Sequence, residues 1–233
     1  MKKVLITGGT RGIGETTAKL LAKNGYKVYI NYLKSDEKAQ KLAQEIGVVP
    51  VKADVSSPKE TKEMFDLVGG VDVLINNAGI AQQKLFTDIT SDEWERMLGV
   101  NLTGVFNCTK GALPYMINKK SGCIINISSM WGICGASCEV HYSAAKAGVI
   151  GFSKALAKEV GPSGIRVNCI APGMIDTEMN NGFDDETVEM IKEETPLGII
   201  GKPEDIANCV LYLIEQGQFI TGQVISPNGG MVI

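Results

Sequence analysis

The chain carries a single histidine, His141, among 233 residues, and that scarcity removes several chemistries at once. A His-rich zinc site cannot be assembled, and any His-based nucleophile triad would have to use His141 alone. Charge of one sign is also lacking: 23 Lys and Arg stand against 26 Asp and Glu, a net charge of −3. That balance argues against a nucleic-acid binder, which carries a basic footprint. No apolar run approaches the roughly 20 residues of a membrane span. Behind Met1-Lys2-Lys3 only a short apolar stretch precedes the glycines, so the start does not have the form of a signal peptide. The six cysteines (Cys108, Cys123, Cys134, Cys138, Cys169, Cys209) include no C-x-x-C pair and sit mostly in apolar stretches. They are expected to be reduced core residues of a cytoplasmic protein, with no metal site.

What is present in excess is glycine, 27 of 233 residues, where an average composition has roughly 7%. An apolar content of 44% is enough to bury a core. Short β-branched apolar runs recur at residues 4–7, 27–31, 48–53, 71–75, 123–128, 165–170 and 223–226. Apolar on both alternating faces, they have the character of buried parallel strands. Helical patterns separate them. Residues 14–24 place Ala18, Leu21 and Ala22 on one side, with Gly25 to stop the helix. Thr90-x-x-Glu93 is a capping box opening a long helix towards Met116. Residues 142–160 form a second long helix ended by Gly161-Pro162. The alternation predicts an α/β fold: one doubly wound, Rossmann-type domain over residues 1–233, with about seven parallel strands and helices on both faces. Ligands of such sheets bind beyond the carboxyl ends of the strands.

The first strand leads through Thr7-Gly8-Gly9-Thr10-Arg11-Gly12-Ile13-Gly14 straight into a helix. Gly8 suits a tight turn, Gly12 the approach of a pyrophosphate to the helix N-terminus, and Gly14 close helix–strand packing. The spacing G-x-x-x-G-x-G is a variant of the dinucleotide fingerprint, and a phosphate-binding Walker loop is excluded because no Gly-Lys-Ser/Thr follows. After the second strand, Asn31-Tyr32-Leu33-Lys34-Ser35 offers no acid before Asp36 to hold the ribose hydroxyls of NAD. Arg11 and Lys34 could neutralise a 2′-phosphate instead, so NADP(H) is expected over NAD(H), with Lys34 as an ordinary solvated charge the alternative.

Tyr142-Ser143-Ala144-Ala145-Lys146 puts a phenol and an ammonium on one helical face. A neighbouring cation stabilises a phenolate, and the expectation is that Lys146 draws Tyr142 down towards working pH. With Asn76-Asn77-Ala78-Gly79, Ser128-Ser129, Asn101 and Pro172-Gly173 in order along the chain, these residues resemble the short-chain dehydrogenase/reductase family from about Lys3 to Met231. The resemblance implies a catalytic set. Tyr142 gives a proton to a carbonyl oxygen, Lys146 holds the nicotinamide ribose, Ser129 bonds the substrate oxygen, and Asn101 fixes a water leading to Lys146. Asp54 and Val55 would meet the adenine, Asn77, Ala78 and Gly79 would pass along the ribose, and Ile175 and Thr177 would reach the nicotinamide amide. Alternatives remain: Asn77 could tie strands together, and Asn101 could cap a helix bend. Ser128 has the wrong spacing and is taken as a bystander. His141 points about 100° away from Tyr142 on the helix and is expected to be a packing or pocket-wall residue.

Within that family the chain looks most like the bacterial 3-oxoacyl-(acyl-carrier-protein) reductases, on the glycine turn, residues 145–154, residues 171–179 and the ending from Ile220 to Met231. The resemblance implies NADPH-dependent reduction of a 3-oxoacyl thioester in fatty-acid biosynthesis, on an acyl-carrier protein or on CoA, by a homotetramer built through the long helices. Another ketone or sugar as substrate stays open, as does a non-catalytic dinucleotide sensor. An enoyl reductase would need its Tyr and Lys farther apart. Residues 179–200 would be the substrate lid, with Gly182 near its hinge. Lys119-Lys120 match one basic position for docking an acidic carrier, whereas Ser163 stands where many relatives carry a second basic residue.

Overall fold

Lys3–Ile6 forms β1, and its last three residues, Val4, Leu5 and Ile6, are wholly buried. In this computed structural model, which describes residues 1–180, 182 and 184–233, β1 lies near the centre of a seven-stranded parallel sheet. The other strands are β2 (Lys27–Tyr32), β3 (Val49–Lys52), β4 (Val73–Asn76), β5 (Gly122–Ile127), β6 (Ile165–Ile170) and β7 (Val224–Ile225). Their order is β3-β2-β1-β4-β5-β6-β7. The chain winds outwards from β1 in one direction, then returns to β1's other side and continues through β4. That reversal creates the crevice in which open α/β sheets take ligands.

Each expected strand is present; β6 has its expected bounds, and the others differ by one or two residues at an end. β7 keeps only two residues, pairing through Cys169↔Val224 and Ile170↔Ile225. It is an edge strand, and few ladder bonds define its length.

Alternation along the strands splits the core. Val4, Ile6, Ile30, Ile75 and Ile125 face one layer with α1 (Gly12–Lys23) and α9 (Pro203–Glu215). Leu5, Leu74, Ile124 and Val167 face the other, against α3 (Pro58–Val68), α5 (Gly104–Lys119) and α7 (Val140–Val160). Full burial of each such side chain contributes about 1.5–3 kcal/mol before entropy is counted. α2 (Asp36–Ile46) covers β2 and β3 and stops at Gly47 in the left-handed conformation.

The helix opened by Thr90 begins as its capping box predicts: Thr90 Oγ1 accepts the N–H of Glu93 at 3.2 Å, and Thr90 N donates back to Glu93 Oε2 at 2.9 Å. It is not one uninterrupted helix. α4 (Ser91–Leu98) passes into a π-helical turn, Gly99–Thr103, before α5 starts. A Cβ on Gly104 would stand 2.8 Å from Val55 Cγ2, so the backbone at the end of this turn runs close to the segment after β3. α6 (Trp131–Cys134) is a single turn after β5, and α8 (Asp185–Glu194) follows β6. All six cysteines are free, and Cys134 is exposed, contrary to its expected place in the core.

Candidate active site

In the turn after β1 and at the first residue of α1, the backbone of Gly8 and Gly12 has positive φ, 63° and 51°. A Cβ on Gly14 would stand 2.2 Å from the Gly8 carbonyl oxygen, so helix and turn meet without room for a side chain. Arg11, the N-cap of α1, makes no side-chain cap, leaving the first N–H groups of the helix without that acceptor. A bare N-terminus at a glycine cradle fits a phosphate group. Gly8, Thr10, Arg11, Gly12 and Ile13 line a cavity of about 460 Å³ there. The turn is braced from β4: Asn77 Nδ2 donates to Thr7 O and Gly8 O, both at 3.0 Å, and Thr7 Oγ1 accepts the N–H groups of Asn77 and Ala78. The carboxamide of Asn77 therefore ties β1 to β4, the alternative weighed for it, while Asn77, Ala78 and Gly79 also line the cavity.

At the far end of this cavity stand Tyr32, Lys34, Asp54 and Val55. The acid after β2, Asp36, is engaged elsewhere: its carboxylate takes Lys52 Nζ at 2.7 Å and the Tyr32 hydroxyl at 3.2 Å. Lys52's hydrogen bond holds that carboxyl below its usual range. Asp54 accepts Ser56 N at 2.9 Å and Oγ at 2.6 Å on one oxygen, and Arg96 Nη1 at 3.1 Å on the other. Burial pushes its pKa up, but these bonds outweigh burial and keep Asp54 ionised. Arg96 on α4 was not legible as a site residue in the sequence. Glu178 pairs with Lys38 at 2.5 Å and lines the same cavity as Arg11.

A second cavity of about 400 Å³ shares Ile13, Asn77, Gly79, Thr177 and Met179 with the first and continues it. Ser129, Tyr142, Lys146, Pro172, Gly173 and Ile175 line it. α7 sets Tyr142 and Lys146 on one face, with Lys146 Nζ 5.6 Å from the phenol ring centre. The ammonium is buried and donates to the carbonyl of Ile127 at 2.9 Å; burial brings its pKa down to about 8. Tyr142 moves the opposite way from the expectation. Burial pushes the phenol up to about 12, the nearby Ser129 hydroxyl draws it down, and the Glu139 carboxylate raises it further. Desolvation of an anion outweighs a cation whose hydrogen bond is spent on a backbone carbonyl. Ser128 Oγ donates to Lys146 O at 2.8 Å, a structural bond consistent with a bystander.

Two of the expected site residues do not line either cavity. Gly14 lies behind the glycine turn. Asn101, in the π-turn, is wholly buried: its Oδ1 accepts Ile80 N at 3.2 Å and its Nδ2 donates to Ile80 O at 2.9 Å. It pins the loop after β4 to the π-turn, a different role from the helix-bend cap weighed for it. A Cβ on Gly79 would lie 2.8 Å from Asn101 Oδ1 and 3.6 Å from Lys146 Nζ, so Gly79 keeps that corner narrow.

The cavity wall also contains Gln82, Gln83, Trp131 and Glu139, none of them named from the sequence. His141 is wholly buried, with Nε2 3.1 Å from Gln82 Oε1, a packing position rather than a cavity-lining one. The expected lid begins at Met179, Asn180 and Gly182, which line the cavity, and continues into α8; Asn181 and Phe183 lie outside the described residues. Lys119 and Lys120 sit just before β5, at the amino edge of the sheet away from the cavities, and Lys119 is paired with Asp72.

A parallel sheet with a glycine turn at its switch point, and a Ser, Tyr and Lys in the adjoining cavity, defines a nucleotide-dependent oxidoreductase scaffold. The family model described as Enoyl-(Acyl carrier protein) reductase matches residues 8–232, and the chain belongs to the short-chain dehydrogenase/reductase family. It is 44% identical over 241 residues to the 3-oxoacyl-(acyl-carrier-protein) reductase FabG of Aquifex aeolicus, covering 99% of this chain and 97% of the relative. The FabG of Staphylococcus epidermidis is 42% identical, with 99% and 98% covered. That of Chlamydia muridarum is 41% identical, with 99% and 97% covered.

Proposed function

We propose that the chain is an NADPH-dependent reductase that converts a 3-oxoacyl thioester, carried by acyl-carrier protein, to the 3-hydroxyacyl form in fatty-acid elongation. The observation that carries this reading is the continuity of the two cavities, which puts Ser129, Tyr142 and Lys146 beside the bare N-terminus of α1. The full-length relatives, each a 3-oxoacyl-(acyl-carrier-protein) reductase by name, support the substrate class.

Bound along the first cavity, a nicotinamide dinucleotide supplies the hydride. Gly8, Gly12 and the first N–H groups of α1 hold the pyrophosphate, and Thr10, Ile13 and Gly14 shape that turn. Arg11 and Lys34 take the 2′-phosphate beside Tyr32. Asp54 and Val55 meet the adenine; Asn77, Ala78 and Gly79 border the ribose. Pro172, Gly173, Ile175 and Thr177 wall the nicotinamide end. Ser129 donates a hydrogen bond to the substrate carbonyl oxygen, and Tyr142 delivers the proton to it. A phenol that resists ionisation is in the right state to be that donor. Lys146 stands where its ammonium offsets charge left on the phenol after transfer. Asn101 keeps the loop after β4 in place behind it. Residues 179–200 close over the acyl group, and the working form is a cytoplasmic homotetramer.

A CoA thioester is the second reading, favoured by the pairing of Lys119 with Asp72 and by uncharged Ser163. NADPH oxidation followed with acetoacetyl-carrier protein, acetoacetyl-CoA and unrelated ketones tests the assignment. Turnover with the carrier-bound substrate, at higher kcat/KM than with CoA, is expected. Turnover confined to the unrelated ketones overturns it.

A further inference from the structure

Arg96 on α4 and Asp54 after β3 both line the first cavity, and they are joined there: Arg96 Nη1 donates to Asp54 Oδ2 at 3.1 Å. The same nitrogen donates to Ser56 Oγ at 3.2 Å. Ser56 Oγ in turn donates to Asp54 Oδ1 at 2.6 Å, beside its own N–H at 2.9 Å. Arg96, Ser56 and Asp54 thus close a ring around one carboxylate. The backbone beneath that ring is fixed as well. Asp54 N donates to Glu60 Oε2 on α3 at 2.8 Å, and Asn107 Nδ2 on α5 donates to Val55 O at 3.0 Å.

Neighbouring charges are committed elsewhere: Lys52 on β3 is paired with Asp36, and Glu93 on α4 is paired with Lys84. The Asp54 side chain is 20% exposed and that of Arg96 is 45% exposed, so the carboxylate is the more enclosed partner. An ionised carboxylate accepts only, and it has roughly four acceptor sites. Ser56 N, Ser56 Oγ and Arg96 Nη1 fill all but one of them. An anion on a cavity wall with one open site selects a ligand edge that carries an N–H donor. In a nicotinamide dinucleotide, the 6-amino group of adenine is such a donor.

We propose that Arg96 is a positioning residue for adenine recognition: with Ser56 it holds the Asp54 carboxylate in one orientation on the wall of the first cavity, so that the open acceptor site takes the 6-amino group and rejects a 6-oxo base. The proposal rests on the reading of Asp54 as the adenine contact of a bound dinucleotide. In this role Arg96 acts through Asp54 and needs no contact of its own with the base. A 6-oxo base turns a lone pair towards the anion, and a pinned carboxylate cannot rotate away from it. Released from Arg96, the carboxylate has rotamer freedom to lose on binding, and its preference for the amino base falls. A guanidinium suits the task because its planar fork is already organised for a carboxylate.

Calorimetric titration tests it with three ligands: NADPH, NADH and the hypoxanthine counterpart of NADPH, in which oxygen replaces the 6-amino group. The wild type is expected to bind NADPH at least about tenfold more tightly than the hypoxanthine form. Arg96→Ala is expected to raise the NADPH and NADH Kd values by the same factor, about tenfold, and to leave the hypoxanthine form within about twofold. The ratio of Kd values is taken within one protein, so a smaller folded fraction cancels. Arg96→Lys, which keeps a cation without the fork, is expected to retain part of the preference. In an Asp54→Asn background, Arg96→Ala is expected to change the ratio no further. Equal weakening of all three ligands, or a ratio that still changes in the Asp54→Asn background, overturns the proposal. Weakening confined to NADPH also overturns it, because Arg96 would then serve the 2′-phosphate. A wild type that binds the adenine and hypoxanthine forms alike removes the adenine reading of Asp54 itself. A wild-type preference that survives intact in Arg96→Ala removes only the role of Arg96.

Discussion

His141 Nε2 lies 3.1 Å from Gln82 Oε1, and the rest of the network fixes which of the two donates. Gln82 Nε2 is bound to Glu93 Oε1 at 2.8 Å, and a carboxylate accepts only. Gln82 Oε1 is therefore the acceptor, and His141 carries its hydrogen on Nε2. Nδ1 is left bare, buried and without a partner among the described residues. A second proton there would be a buried, unpaired charge. Burial accordingly holds the His141 pKa below its ordinary 6.5.

That depressed value makes stability depend on acid. Below the unfolded value of 6.5 the unfolded chain binds a proton that the folded chain refuses, so stability falls as pH falls through that value. One such proton changes the unfolding free energy by at most about 1.4 kcal/mol per pH unit. Urea midpoints at about pH 7 and about pH 5.5 are expected to differ less in His141→Gln than in the wild type. An identical pH dependence in both would remove His141 from the acid response.

Gly14→Ala drives a methyl group to 2.2 Å from the Gly8 carbonyl oxygen and 2.6 Å from Asn77 Nδ2. Backbone cannot yield as a side chain does, so a loss of about 1–3 kcal/mol is expected together with weakened NADPH binding. Gly25→Ala is the control. Its φ of 80° also strains a side chain, but no atom lies within 4 Å and it is remote from the cavity. Gly25→Ala should lower the melting temperature and leave the NADPH Kd unchanged. Equal Kd values in both variants would contradict the role given to Gly14.

Arg11 and Lys34 both line the first cavity, and the first acid after β2, Asp36, is taken by Lys52. Arg11→Ala with Lys34→Ala is expected to raise the NADPH Kd at least about tenfold, or about 1.4 kcal/mol, and to change the NADH Kd little. Equal losses for the two cofactors would sink the 2′-phosphate assignment.

Asn101→Ala strips two hydrogen bonds from the Ile80 backbone at a wholly buried position. A destabilisation of about 1–3 kcal/mol is expected from the polar groups left without partners. Thermal unfolding checks it. A variant as stable as the wild type would mean that the loop after β4 is held by its other bonds.

The sheet was legible because its strands are uniformly apolar, as burial on both faces requires; Val4, Leu5 and Ile6 leave little choice. The pairing of Tyr142 with Lys146 was legible because an i,i+4 spacing is local. The π-turn at Gly99–Thr103 was not, since one extra residue inside a helical pattern barely disturbs its apolar periodicity. Gln82, Gln83 and Glu139 escaped for another reason. They meet only when the loop after β4 folds against the start of α7, 56 to 59 residues away. Reading every polar residue after each strand as a cavity candidate would have found the two glutamines. The direction of the Tyr142 shift escaped for the same cause: the neighbouring cation is visible in the sequence, whereas desolvation exists only in the folded chain.

Proton delivery from Tyr142 to a carbonyl oxygen is tested most sharply by setting acetoacetyl-CoA beside crotonyl-CoA with NADPH. Stoichiometric conversion of the 3-oxo thioester to its 3-hydroxy product is expected. No NADPH consumption is expected with the enoyl thioester, and a loss of about 10²–10⁴ in kcat for Tyr142→Phe. Reduction of the enoyl thioester alone, or full turnover by Tyr142→Phe, would contradict it.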